Sequence, residues 1–332
     1  MPKQSDWTAK DILTAVGLTD AEQEAVIRKH EMIKGTLEST NERELAAKFA
    51  FTIRNVPGKD LRDMFLTNSK KKDSDPTLIQ MSVLENDNID NLFADFALEP
   101  NGAAMTQAYL TAKPTAMNDL NLSRDELQLF EVLPKTATQQ QVTEVLVRVL
   151  KQRLMDYQQK GLEGIGLYCR GKNAKNDYAP GEELRLKSEQ ANLVKKVSPA
   201  FYKYLVECPS NKPDKLEESY MYMTFIVDEK PTTALVHKMG LWDEESGLYV
   251  LCQRHFYVSR GHNSLQGVGG AIPIKDGGGE DETAFVVVYG SRTSTDQVAG
   301  FGGSAKRALG SRIMGGRLAE NMERLRQEMQ KK

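Results

Sequence analysis

At 332 residues the chain is long enough for a sizeable core and for one or two domains. It carries 44 basic against 46 acidic residues, a formal charge of −2, so the overall balance gives no footing for nucleic acid or an anionic membrane surface. No apolar run approaches the roughly 20 residues of a transmembrane helix. The opening MPKQSDWTAK lacks the apolar stretch of a secretory signal, which points to the cytoplasm as written, or to the periplasm or medium for a mature form.

In chain order, two short helices are predicted first, over 8–17 and 19–35. The second opens with Thr19-Asp20-Ala21-Glu22, a spacing in which hydroxyl and carboxylate each satisfy a free N–H, and it closes on Gly35. At 44–54 the period changes. Leu45, Ala47, Phe49, Phe51 and Ile53 alternate with Ala46, Lys48, Ala50, Thr52 and Arg54, the mark of a strand with one buried face. After Val56-Pro57-Gly58 a short helix is predicted over 59–67. A charged loop follows over 68–75 (NSKKKDSD), its lysines reading as a solvated tip, then a strand over 77–84. From 85 to 121 periodicity is weak and no element is assigned.

Helices return at Ser123-Arg124-Asp125-Glu126, a second capping box leading into Leu127, Phe130 and Leu133 before Pro134. Over 138–160, Val142, Val145, Leu146, Val149, Leu150, Leu154 and Tyr157 make one apolar helical stripe that Gly161 terminates. A basic, amide-rich loop (161–180) and a charged amphipathic helix (182–197) come next. Ser198-Pro199 then starts a helix carrying Phe201, Tyr202, Tyr204 and Leu205. Residues 210–214 link to the last block.

That block reads as five strands, over 220–227, 233–242, 248–259, 265–274 and 283–291, rich in β-branched and aromatic residues. The short breaks between them favour an antiparallel meander. Gly267, Gly269, Gly270 and Pro273 weaken the fourth strand. From Ser304 onward, Ala305, Leu309, Ile313, Leu318, Met322, Leu325 and Met329 define the apolar stripe of a long closing helix. One sheet face and one helix stripe both need cover, so the helix is expected to lie across the sheet. The expected fold class is α+β: an antiparallel curved sheet wrapped on a long C-terminal helix, with a helical insertion and N-terminal helices. The corresponding partition is 1–40 (N-terminal helices), 41–122 (first strand, short helix and irregular segment), 123–214 (helical insertion) and 215–332 (meander plus closing helix).

Little in the sequence points to catalysis. The three cysteines, Cys169, Cys208 and Cys252, are widely spaced and argue against a disulfide framework. Cys252-x-x-His255 with His262 has zinc-ligand types but lacks a fourth ligand, and the odd separation puts Cys252 and His255 on opposite faces of a strand. Gly300 to Ala305 matches G-x-G-x-x-A before a helix, yet a dinucleotide fingerprint needs a second parallel strand and an acidic residue about 20 positions on. A strand-to-helix turn is the reading there, with an anion held by the helix start, Lys306 and Arg307 as the alternative. No Ser-His-Asp order or carboxylate pair emerges, so no catalytic residue, metal or cofactor is assigned.

Candidate ligand-binding residues come from the strands. His237 and His255 lie in apolar surroundings, either as hydrogen-bonded structural groups or as pocket lining. Arg254 is a charge inside a strand and must face water or a partner. Arg292, at a polar strand exit, is placed to pair with Asp296 across a turn. Tyr222, Tyr257 and Tyr289 belong to an aromatic crowd that is either packed core or the wall of an apolar pocket.

The order of first strand (44–54), short helix (59–67), antiparallel meander (220–291) and closing helix (304–330) resembles the helix-grip fold of START and Bet v 1-type lipid-transfer and polyketide-cyclase proteins, over roughly half the chain. The helical block 123–208 is an addition to that pattern. In that family a curved sheet wraps the C-terminal helix around an apolar cavity. The resemblance implies non-catalytic binding or transport of a hydrophobic small molecule or lipid between sheet and closing helix. The alternatives are an interaction scaffold with a filled core that recruits a protein partner, and a cyclase- or hydrolase-type enzyme using groups such as His237, His255 or Arg292. The segments LYVLCQRHFYVS, VVVYGSRTSTDQVAGFGGSAKR and YQQKGLEGIGLYCR are also similar to a group of uncharacterised, often exported bacterial proteins, which implies bacterial origin and export.

Overall fold

A computed structural model describes residues 7–54, 56–57, 59–62, 77–227, 229–274, 284–300 and 302–330. The loop expected over 68–75 and the far part of the helix expected over 59–67 lie outside the described residues. The alternating segment at 44–54 is a strand over its whole length, and the described part of each of the five runs of the last block forms a strand to within a residue of its expected ends or beyond them. The strands are β1 (Ile33–Thr36), β2 (Glu44–Arg54), β3 (Leu78–Val83), β4 (Glu217–Val227), β5 (Lys230–Asp243), β6 (Leu248–Val258), β7 (Ser264–Pro273) and β8 (Ala284–Ser294). They form one curved antiparallel sheet in the order β1-β2-β8-β7-β6-β5-β4-β3. The early strand β2 thus joins the late meander, pairing with β8 from Glu44 opposite Ser294 to Arg54 opposite Ala284. The fold is α+β.

The glycine-rich β7 holds an interior place because a neighbour fills its missing side chains. Tyr289 of β8 lies over Gly267 and Gly269, and a Cβ at Gly267 would collide with the phenol ring.

The helices are α1 (Ala9–Ala15), α2 (Asp20–Arg28), α3 (Ile89–Leu92), α4 (Gly102–Thr111), α5 (Arg124–Glu131), α6 (Gln139–Lys160), α7 (Pro180–Glu189), α8 (Asn192–Val197), α9 (Pro199–Glu207) and α10 (Gly303–Gln330). Reciprocal capping boxes at Thr8, Thr19, Ser123 and Thr138 start α1, α2, α5 and α6. The expected stripe of α6 from Val142 to Tyr157 is buried throughout, and each such apolar side chain contributes about 1.5–3 kcal/mol of transfer free energy.

Three expectations are corrected. The second helix ends at Arg28, since His30 takes a φ of 54° and Ile33–Thr36 pairs with β2. Residues 182–197 form two helices, α7 and α8, broken at Gln190 and Ala191, and Ser198 makes no side-chain cap to α9. The segment 85–121 holds α3 and α4.

The sheet has two dissimilar faces. On one, the helix face, α1, α2, α8 and α9 cover Ala50, Val250, Cys252, Ile272 and Val288. On the same face α4, α5 and α6 cover Tyr222, Leu235, Phe256 and Tyr257. The other face carries Phe49, Phe51, Tyr249, Phe285 and Val287, and α10 packs there along β2 and β1. The mode of that packing differs from expectation. Leu309 and Ile313, read as the buried stripe, are 58% and 50% exposed. A row of small residues makes the contact instead: a Cβ on Gly310 would come within 2.8 Å of Leu45, and one on Gly315 within 3.4 Å of Ala47. The Ala46 N–H donates to Ser311 Oγ at 3.0 Å. Among the described residues no helix is long and apolar enough to cross a membrane.

Candidate functional site

Buried sheet faces are normally apolar, because a polar group removed from water must find a partner. The helix face breaks that rule along one line. Tyr220 (β4), His237 (β5), Arg254 (β6), Gln266 (β7), Arg292 (β8) and Ala46 (β2) stand directly opposite one another across six strands. One row further along, Ser264, Ser294 and Glu44 are opposed in the same way. On the other side the rows carry Val268, Gly290 and Lys48, then Gly270, Val288 and Ala50.

Each polar member is held by the helices above it. Arg254 is fully buried. Its Nε donates to Gln266 Oε1 at 2.8 Å, Nη1 to the Tyr157 hydroxyl at 3.0 Å, and Nη2 to Ser188 Oγ and the Leu205 carbonyl at 3.1 and 2.6 Å. The Leu205 carbonyl sits in the last turn of α9, where its usual i+4 donor would be Pro209, which has no N–H. Arg254 supplies the missing donor. All four acceptors are neutral.

His237 continues this chain. Its Nε2 lies 3.3 Å from Glu218 Oε2 and its Nδ1 3.1 Å from the Tyr157 hydroxyl. The carboxylate can only accept, so Nε2 carries the hydrogen and Nδ1 accepts from Tyr157. Burial pushes the imidazole down to about 4, against the opposing pull of the Glu218 hydrogen bond. Burial works against ionisation of Glu218 too, but hydrogen bonds from His237, Lys212 and Tyr204 hold it down at about 2. The pair is therefore a neutral imidazole beside a carboxylate near neutral pH.

Lys187 of α7 reaches the serine row, where Nζ donates to Ser264 Oγ at 2.9 Å and Ser294 Oγ at 2.7 Å. The Ser294 hydroxyl in turn donates to Glu183. Burial lowers the Lys187 ammonium to about 8, partly countered by Glu183 and Glu44. Arg292 donates to Glu44 Oε2 at 2.7 Å and to the Glu38 carbonyl at 3.0 Å. Its expected pairing with Asp296 is corrected, since Asp296 bonds Arg43 and Arg170 instead. Glu44 is buried at the edge of the sheet face and its charge claims the guanidinium.

Between these rows and the helices α1, α7 and α8 lies a cavity of about 250 Å3. Val16, Val194, Val197, Val250, Val268, Ile272 and Val288 give it apolar walls, with Gly270 and Gly290 also among the lining residues. The break between α7 and α8 falls at its rim, with Gln190 and Ala191 among the lining residues. Lys187, Arg292 and Gln266 line it at the polar rows and Lys48 at the α1 side, where Nζ donates to the Val16 and Gly17 carbonyls at 2.8 Å each. Among the lining residues there is no Asp or Glu. Gln266 is 2% exposed; Arg254 and Ser188 lie against its amide oxygen, and its Nε2 has no hydrogen-bond partner.

The seven residues singled out from sequence are thus distributed. His237, Arg254 and Arg292 share one row. Tyr222 stacks on Phe93 and Tyr257 lies under the Arg153 guanidinium, both in the core beneath α4 to α6. Tyr289 stacks on Phe49 on the opposite face, and His255 sits 6.0 Å, ring to ring, from His262. Of the seven, Arg292 and Tyr289 line the cavity, Tyr289 from a strand whose ring-bearing face is turned away. Among the described residues no group of three or more His, Cys, Asp and Glu side chains converges on a metal position. Lys48, Lys187, Gln190 and Gln266 were missed. Lys187 sits among charged neighbours in a helix that reads as solvated, and Gln266 carries no signal until its register beside Arg254 is known. Compared with protein-family models, with curated proteins and with solved structures, the chain matches none.

Proposed function

We propose that this protein is a helix-grip-like, non-catalytic binder of a small hydrophobic molecule, and that the ligand sits between the sheet and helices α1, α7 and α8, on the face opposite the closing helix. The observation that carries this reading is the 250 Å3 cavity with valine and isoleucine walls. Ligand sites are concave, mostly apolar and furnished with a few placed polar groups, and this one falls just below their usual range of about 300–1,000 Å3. At roughly 30 Å3 per water-sized group, it has room for a ligand on the order of ten heavy atoms. Binding is favoured over turnover because the hydrogen-bonded pair Tyr157 and His237 lies outside the lining, and because the Ser294 hydroxyl donates to Glu183.

The test is native mass spectrometry of the purified protein after exposure to a lipid extract, beside a Val268→Trp variant designed to fill the cavity. A small adduct on the wild type that disappears from the folded variant is expected. An adduct that persists in Val268→Trp moves the ligand elsewhere and sinks the reading. One feature favours an interaction scaffold as a second reading: Leu309 and Ile313, one turn apart on α10, are both exposed.

A further inference from the structure

The sheet ends at β3, and among the described residues no strand pairs with β3 on the side away from β4. The Leu84 N–H bonds the Tyr220 carbonyl, so Ser82 and Gln80, of the same parity, direct their backbone groups to β4. The N–H and C=O of Val83 and Met81 therefore point outward, where no described residue bonds them. The chain begins a rung on that side and abandons it. The Glu85 carbonyl, outward by the same parity, accepts from the Asn88 N–H at 3.0 Å across Asn86 and Asp87, whose φ values of 50° and 54° are those of a hairpin turn. A returning strand would run opposite Val83 and Met81, but residues Ile89–Leu92 coil into α3 instead. In the place of that strand is a hollow of about 430 Å3, lined by Met81, Val83, Glu85, Asn88 and Asn91 among others. The Leu78–Val83 strand carries no charge and no proline, the residues that usually keep an edge from pairing, and its one bulge lies at Leu78–Gln80, before the outward pair. It is also held in place, since the Gln80 amide exchanges hydrogen bonds with the Ala97 backbone at 3.2 and 3.3 Å.

We propose that this edge docks a basic, extended segment of another protein, which adds to the sheet as a strand antiparallel to β3, a site separate from the cavity. The backbone of the segment pairs with Val83 and Met81. Its side chains opposite those two fall on the face where Met81 and Val83 pack with Met221 and Met223, so alternate residues of the segment are apolar. Charge selects a basic partner. From Thr77 to Ala112 the chain has Glu85, Asp87, Asp90, Asp95 and Glu99, and neither Lys nor Arg. Lys151 pairs with Asp90, but Glu85 and Asp87 are exposed at the turn beside the hollow and have no ion-pair partner among the described residues. Antiparallel docking sets the N-terminal end of the segment by these two carboxylates, where a Lys or Arg side chain meets them. A second copy pairing through its own β3 would bring there a strand with no charge to match.

Fluorescence anisotropy with the labelled peptides KRVSVTV and EEVSVTV tests this on the full chain, on a Val83→Pro variant and on a Glu85→Lys/Asp87→Asn variant. The Val83 N–H takes no part in the β3–β4 ladder, and proline is tolerated at such edge positions, so the first variant should fold. The second changes exposed side chains, and Asn suits the left-handed backbone at 87. At low salt, where exposed charges are least screened, the wild type should bind KRVSVTV at least about tenfold tighter than EEVSVTV. Val83→Pro, which removes an outward donor and blocks the edge, should weaken KRVSVTV by about tenfold or more. Glu85→Lys/Asp87→Asn should abolish the preference for the basic peptide. Equal binding of the two peptides by the wild type, or a preference untouched by the charge variant, overturns the basic partner. KRVSVTV binding unchanged in folded Val83→Pro overturns its place at the edge, and binding of neither peptide overturns the proposal outright. A wild-type dimer in sedimentation that Val83→Pro splits gives the edge to a second copy and overturns the peptide site.

Discussion

Three histidines are buried in the sheet layer, and burial lowers the pKa of each: His237 to about 4, His262 to about 4 and His255 well below its ordinary value. A buried imidazole that stays neutral while the unfolded chain can take up a proton makes stability fall as pH falls. The unfolded state binds more protons between the folded value near 4 and the unfolded value near 6.5, so the stabilisation is fully present above pH 6.5 and lost on the way down to 4. For one histidine with these two values, the linkage relation gives a loss of about 2 kcal/mol between pH 7 and pH 5, and about 3 kcal/mol by pH 4. His237 and His262 together therefore remove about 4 kcal/mol by pH 5, a large part of an ordinary domain's 5–15 kcal/mol. Glu218, held down at about 2 by its hydrogen bonds, adds a loss of the same sign below its usual 4.5. The assay is urea unfolding at pH 7, 6 and 5. The midpoint should fall steadily, and His237→Gln should reduce the pH slope by the share of one histidine whatever it does to stability at pH 7. A midpoint that is flat or higher at pH 5 would show that these imidazoles exchange protons freely in the folded protein, and the reasoning from burial would fail.

Two glycines of β7 separate side-chain from backbone crowding. Gly267→Ala meets the Tyr289 ring and should cost about 1–3 kcal/mol, most of it recovered when Tyr289→Leu is added. Gly269→Ala also meets the Val288 carbonyl, so thermal unfolding of the same double variant should show little recovery. On α10, Leu309→Lys and Ile313→Lys should each stay within about 0.5 kcal/mol of the wild type. Gly315→Leu, facing Ala47, should destabilise by about 1–3 kcal/mol; the opposite ranking by chemical denaturation would restore the apolar stripe read from sequence. All three cysteines are buried and free, and burial lifts the Cys252 thiol to about 12. A thiol reagent at pH 8 should label none of them quickly in the native protein and all three in urea, and rapid native labelling of Cys252 would contradict its placement under α9.

What could be read in advance was what depends on local spacing. The period-two run at 44–54, the capping boxes at Thr19 and Ser123 and the stripe of α6 are each set by neighbours within a few residues, and each stands in the structure. The strand β1 was hidden because Ile33 and Gly35 gain their structure from Ala50 and Lys48, their partners across the hairpin. The candidate site was half legible for a related reason. Arg254 and Arg292 stood out as charges in or beside strands, but what joins them is register, and register follows the turn. A hairpin turning over 260–264, as the breaker residues suggested, would centre the pairing at 262 and set Arg254 opposite Gly270. The pairing is centred on 260, where Arg254 faces Gln266 and Gln266 faces Arg292. A shift of two residues in one turn thus decides whether a polar row exists at all.

The side of the sheet on which the cavity opens follows from the same kind of detail. A closing helix with leucine and isoleucine against the strands would stand off by the length of those side chains and leave apolar volume beneath it, the arrangement expected from the helix-grip resemblance. Here α10 docks through Gly310, Ser311 and Gly315, close enough for a strand N–H to bond the Ser311 hydroxyl, and such an approach leaves no layer between helix and strand β2. Across the sheet, Val250, Val268, Ile272 and Val288 of the strands face α7 and α8, and the helical path breaks at Gln190 and Ala191 beside the hollow they line. Small residues on a helix bring it down onto a sheet, whereas branched side chains beneath a break between two helices leave a hollow. The hollow therefore lies on the helix face, where it borders the row that carries Gln266 and Arg292.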